Sequence, residues 1–233
     1  SLAMGATSAP IAAAVSSTGL VSGTYTAAIT ITDSARNSLS IPVTLVISCG
    51  AIGRRGFTAT ATGVAATSLT LTDPGGWSDG DELIAVLAAN TTTPPATPAG
   101  WNLIGSNSTG GDLGQWVFQS FRSGSATTTW NGFAAGKLAG AMAAYSGGNT
   151  ASPIGAPLVP FVPAVTGSGS GNVDVNACTT AADREEIVAA YAVTAAGAGT
   201  GLSVGPGLTS ISGDVSTGGA VGDVVLNVGS DLL

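Results

Sequence analysis

The pentapeptide Gly201-Leu202-Ser203-Val204-Gly205 has the G-x-S-x-G spacing of a nucleophile elbow. That chemistry needs a base beside the serine and a strand–turn–helix context. The chain has no histidine and Lys137 is its only lysine, so nothing ordinary takes the proton. The Gly- and Ala-rich run before it reads as a flexible turn instead. Glycosidic cleavage needs two carboxylates flanking one bond, about 5 to 10 Å apart. Glu185 and Glu186 are adjacent, so on a strand they point to opposite faces. Asp79 and Asp81 could share a face within a Gly-containing turn. There they cap the turn through Asx hydrogen bonds, or hold calcium with nearby carbonyls, although the 12-residue calcium loop pattern is absent. Cys49 and Cys178 are too few for a zinc site or a disulfide scaffold. They form either one long-range bridge or two separate buried thiols. The residues therefore predict no catalytic group, cofactor or metal, and a protein that is not an enzyme.

Trp77, Trp101, Trp116 and Trp130 are the other concentrated resource. An exposed Trp stacks on sugar rings, while a buried one gives bulk to a core of small residues. The Ala-rich strands favour a core role for Trp116 and Trp101. Trp77 and Trp130, each beside Gly or Asn, are the candidates for a glycan platform. Asn90-Thr91-Thr92 and Asn107-Ser108-Thr109 are glycosylation acceptors wherever the secretory route supplies that modification.

Only 8% of the 233 residues are charged and only 5% are aromatic, although 44% are hydrophobic. Soluble domains average about 25% charge. A surface covered by Thr, Ser, Asn, Gly and Ala suits either a secreted or assembled protein partly covered by neighbours, or an ordinary solvated sheet. Net charge is −7 with six scattered cations, which excludes the convergent basic groove that nucleic acid requires and disfavours anionic membranes. The longest apolar runs, Leu83 to Ala89 and Ile187 to Val193, fall far short of the ~20 residues of a membrane span. No charged n-region followed by an apolar core opens the chain, so no signal peptide is expected, and the first residue is not Met.

The elements that would position these residues read as strands. Thr26 to Thr32 alternates Ile with Thr, and Ile41 to Ile47 alternates again with Pro42 at its expected start. Ser68 to Thr72 alternates cleanly, whereas Leu83 to Ala89 is apolar on both faces, as in a central strand. Trp116 to Arg122, Leu138 to Tyr145 and Ile187 to Val193 are further strands, with weaker ones near Val215 and Val224 to Leu226. Residues 182 to 190 also admit a helical turn. Leu83, Leu87, Trp116, Phe118, Met142, Tyr145 and Tyr191 are the expected core. Gly and Pro turns without sustained helical periodicity predict an all-β chain. Its expected divisions are a first unit at 1–49, a linker at 50–56 and an antiparallel β-sandwich at 57–233.

Two resemblances sharpen this. Gly19-Leu20 through Gly23-Thr24-Tyr25 to Ile29 and Ile31, followed by Ile41-Pro42-Val43-Thr44-Leu45-Val46-Ile47, resembles the last strands of bacterial immunoglobulin-like repeats over about 30 residues. Such a sandwich takes about seven strands, so the resemblance implies that further strands come from elsewhere. Gly80-Asp81 with Leu83 and Ala85, Pro98-Ala99-Gly100-Trp101, Trp116 to Arg122, and Ala143-Ala144-Tyr145-Ser146-Gly147 with Pro153 resemble a β-sandwich module of phage structural and bacterial surface proteins. With the even spacing of strands, which suits a jelly-roll or lectin-like sandwich, the expected architecture is immunoglobulin-like strands followed by such a sandwich. The implied role is a virion or surface-assembly subunit of the decoration, tail or fibre kind, oligomeric or completed by partner strands. A carbohydrate-binding adhesin module is the alternative, and either places the chain on a virion or outside the cell.

Overall fold

Alternation of β-branched and polar residues shapes the described part of the first unit, Ser1–Cys49. In the computed structural model, β1 (Gly23–Thr32) and β2 (Ser38–Ile47) pair antiparallel. The described residues are 23–32, 36–47, 52–109, 113–121, 123–147, 186–194, 209–210, 212, 215–218, 220 and 223–232. Register places Tyr25 opposite Leu45, Ala27 opposite Val43, Ile29 opposite Ile41 and Ile31 opposite Leu39. Paired residues share a face, so all eight apolar side chains line one side of a two-stranded ribbon. Thr24–Val46, Thr26–Thr44, Ala28–Pro42, Thr30–Ser40 and Thr32–Ser38 line the other, which is mostly polar but carries the exposed Val46. Pro42 lies inside β2 rather than at its start, opposite Ala28. β2 has a paired neighbour on one side only among the described residues, so a missing N–H is tolerated there.

The second unit, Gly50–Leu233, is built on a five-stranded antiparallel sheet. Its strands are β3 (Gly53–Ala61), β5 (Glu82–Ala89), β6 (Asn102–Thr109), β7 (Leu113–Phe121) and β9 (Leu138–Ser146), in the order β3-β9-β5-β7-β6. Every residue of β5 is buried, as its two-sided apolar run requires. One face of the sheet presents Leu83, Leu87, Trp116, Phe118, Leu138 and Met142. It packs on Leu69 and Leu71 of β4 (Ala66–Leu71) and on Trp130 and Phe133 of β8 (Thr128–Gly136), which pair with each other. Gly140 makes this contact possible. A Cβ there would lie 2.7 Å from Leu69 Cδ2 and 2.8 Å from Leu87 Cδ2.

The opposite face presents Ile84, Val86, Ala88, Ala139, Ala141, Ala143 and Tyr145. It meets β10 (Glu186–Thr194) through Ala190 and Ala192, and Val224, Leu226 and Val228 of β13 (Val224–Leu232). β10 and the short β11 (Thr209–Ser210) and β12 (Val215–Ser216) pair with β13. The central sheet is thus covered on both faces, and the second seam is lined largely by alanine and valine.

All described elements are strands in antiparallel sheets, in agreement with the all-β, sandwich-like expectation. Leu83, Leu87, Trp116, Phe118, Met142 and Tyr145 are buried as expected; the Tyr191 side chain lies outside the described residues. The expected linker at 50–56 is corrected: residues from Gly53 onward belong to β3 and hydrogen-bond to β9. The helical alternative at 182–190 gives way to strand from Glu186, paired along its whole length with β13.

Candidate functional site

The sandwich core gathers the tryptophans rather than displaying them. β8 alternates Thr128 and Trp130 inward with Thr129 and Asn131 outward. The Trp130 ring is 0% exposed, 5.1 Å from Trp101 in an edge arrangement and 5.8 Å from Phe118. Trp101 Nε1 donates to Thr128 Oγ1 at 3.2 Å, and Trp116 meets Phe133 edge-on at 5.6 Å. Trp130 therefore cannot stack on a sugar, which corrects its assignment to a glycan platform. Trp77 is half-buried against the same core, so the two do not form one surface.

The turn that leads into β5 uses its acids internally. Asp79 Oδ1 accepts from the Gly124 N–H at 3.0 Å, tying this turn to the one after β7. Asp81 Oδ2 accepts from the Ser78 N–H at 2.8 Å and from Arg55 Nε at 3.1 Å. The Asp81–Ser78 bond is local to the turn, whereas Asp79 reaches a turn 45 residues away and Arg55 comes from β3. No three His, Cys, Asp or Glu side chains gather as a metal site among the described residues.

Two charged groups that sequence reasoning passed over are buried at opposite ends of the alanine-rich seam. Glu82 begins β5 on the face of Ile84 and Val86, 6% exposed, and accepts a 3.0 Å hydrogen bond from Gln119 Nε2 of β7. Burial pushes its carboxyl up to about 7, with the Gln119 hydrogen bond opposing the shift. The available signal was an acid set flush against an unbroken apolar strand. At the far end, Lys137 Nζ pairs with Asp223 Oδ1, whose side chain is 1% exposed. The Lys137 hydrogen bond and then the Ala220 N–H hold that carboxyl below its usual range.

Asn90 serves the same end, since its Oδ1 accepts from the Lys137 N–H at 2.7 Å. Asn107 Oδ1 accepts from the Ser108 N–H. Cys49, Cys178, Glu185, Arg122 and Gly201 through Gly205 lie outside the described residues, as does the Glu186 side chain.

The remaining candidate surface is the apolar side of the β1–β2 ribbon. Ile29 and Ile31 are each 38% exposed, Ile41 42% and Leu39 62%. Four large aliphatic side chains in two adjacent cross-strand rows are thus open to water. No helix of the described residues is long and apolar enough to cross a membrane. Comparison with protein-family models, curated proteins and solved structures finds no match for this chain.

Proposed function

We propose that the chain is a non-enzymatic structural subunit of a virion or cell-surface assembly, of the decoration, tail or fibre kind. The observation that carries this is the ribbon, with one apolar face open and an unpaired strand edge on either side among the described residues. Exposed strand edges and apolar patches are liabilities that proteins cover or use. On this reading residues 1–49 are the closing strands of an immunoglobulin-like sandwich, completed by strands of another copy, another protein or the same polypeptide. Residues 50–233 are the jelly-roll or lectin-like body that the assembly displays outside the cell. Strand addition supplies main-chain hydrogen bonds along the edge and side-chain packing on the face.

The test follows amide exchange in Thr26 to Ile31, with the oligomeric state measured by sedimentation in the same buffer. Protection should appear only with oligomer or added partner. Strong protection in a proven monomer would show that the ribbon satisfies itself and would end this reading. A glycan array tests the adhesin alternative: binding lost in Trp77→Ala would favour it, and Trp130 would have no direct part.

A further inference from the structure

We propose that Glu82 makes the seam between the central sheet and the β10–β13 sheet a pH-sensitive joint, closed over a protonated carboxyl and loosened at that end when the carboxyl ionises. This does not depend on the assembly role.

The geometry comes from register and packing. Asp223 joins Lys137, just beyond the pair Ala89–Leu138, so β13 enters at that end of β5. Val228 and Val188 line one small crevice with Ile84, Val86 and Ala143. β13 therefore runs along the seam from Lys137 towards Glu82, and β10 returns antiparallel to it. Glu82 alternates onto the face of Ile84 and Val86 and pairs with Tyr145, and Gln119 is the side-chain donor that meets it among the described residues. A carboxylate taken out of water with a single amide donor is poorly compensated, whereas the protonated acid is not.

Among the described residues no cation compensates the anion; Arg122, which follows the Phe121 paired with Glu82, lies outside them. Arg55 is engaged by Asp81. Arg54 is an exposed residue in register with Tyr145, and β9 stands between its strand and β5. The other ionisable residue on β9 at this level is Tyr145 itself, while β7 offers Gln119 without charge. The described side chains of β10 and β13 are uncharged. Burial raises the Glu82 carboxyl to about 7. A raised carboxyl favours the closed form fully below the unfolded value near 4.5, and that advantage is lost as pH rises through 7. The Lys137–Asp223 pair works oppositely, because Asp223 is lowered and fails only in acid. Loosening on the alkaline side thus belongs to the Glu82 end.

The experiment is hydrogen exchange at pH 6 and pH 8, corrected for the intrinsic rate and followed in the full chain. Amides of 186–194 and 226–232 should lose about tenfold protection between the two values, while β5 and β7 hold theirs. Glu82→Gln should abolish the difference. Protection in β10 and β13 that does not change with pH, or that falls equally in Glu82→Gln, would overturn the proposal. The carboxyl carbon of Glu82, titrated by NMR in the unaltered protein, gives an answer even if the variant does not fold. A midpoint near 7 supports the joint, and one near 4.5 overturns it.

Discussion

Trp130 carries more of the core than its neighbours in sequence suggest. Its ring is fully buried and its Nε1 has no hydrogen-bond partner among the described residues. Trp130→Ala should cost about 3–5 kcal/mol by leaving a cavity beside Trp101 and Phe118. Trp130→Phe removes the unsatisfied donor with part of the ring, and should cost clearly less, about 1–2 kcal/mol. Urea denaturation of both variants checks this; equal losses would mean the indole N–H is satisfied. The signal for burial was present in Thr127-Thr128-Thr129-Trp130-Asn131, where Trp130 shares the inward parity of Thr128. Adjacent Asn and Gly obscured it, because those residues mark turns as often as outward strand positions. Lys137–Asp223 makes a second prediction. Asp223 is lowered by its donors, so its contribution is present above the ordinary carboxylate range and disappears as pH falls below it. Lys137→Met should therefore destabilise the fold at pH 7 and lose most of that difference in acid, as read by thermal melts at both values.

Among the elements, β4, β5, β7, β9 and β10 were legible because apolar residues recur at alternate positions or continuously. β5 is the clearest: a strand covered on both sides needs no polar face. β3, β6 and β8 were missed for the complementary reason. β6 is an edge strand of Asn, Gly, Ser and Thr around Leu103 and Ile104, and β8 carries Gly132 and paired small residues after Trp130. Their pairing is decided by neighbours rather than by their own pattern. The Glu82–Gln119 contact was not legible at all, since it joins strands 37 residues apart in sequence. Gly140 tests how closely the layers approach. Gly140→Ala should cost about 1–3 kcal/mol, because its methyl meets Leu69 and Leu87 below normal contact distance. A neutral result in chemical denaturation would mean that β4 moves away without penalty.

At the scale of the whole molecule, the two units differ in what they can bury. Residues 50–233 have apolar clusters on both faces of the central sheet, whereas the described part of residues 1–49 is a single ribbon. A two-stranded ribbon alone is marginal in water, while a covered multi-stranded sheet is not. A chain beginning at Gly50 should therefore keep the melting temperature of the full chain's main transition within about 2 °C. Calorimetry on both lengths measures it, and a large fall would show that the first unit supports the second.

The alanine-rich seam also sets how this protein answers temperature. Methyl groups of Ala88, Ala139, Ala141, Ala143, Ala190 and Ala192 fill much of this seam, where larger aliphatic side chains would bury more hydrocarbon. Unfolding then hydrates little new hydrocarbon per residue, so the heat-capacity increment should fall below the usual 12–15 cal/mol/K per residue. A small increment flattens the stability curve. The folded state would lose strength slowly on both warming and chilling, which gives it a broad working range without a high peak.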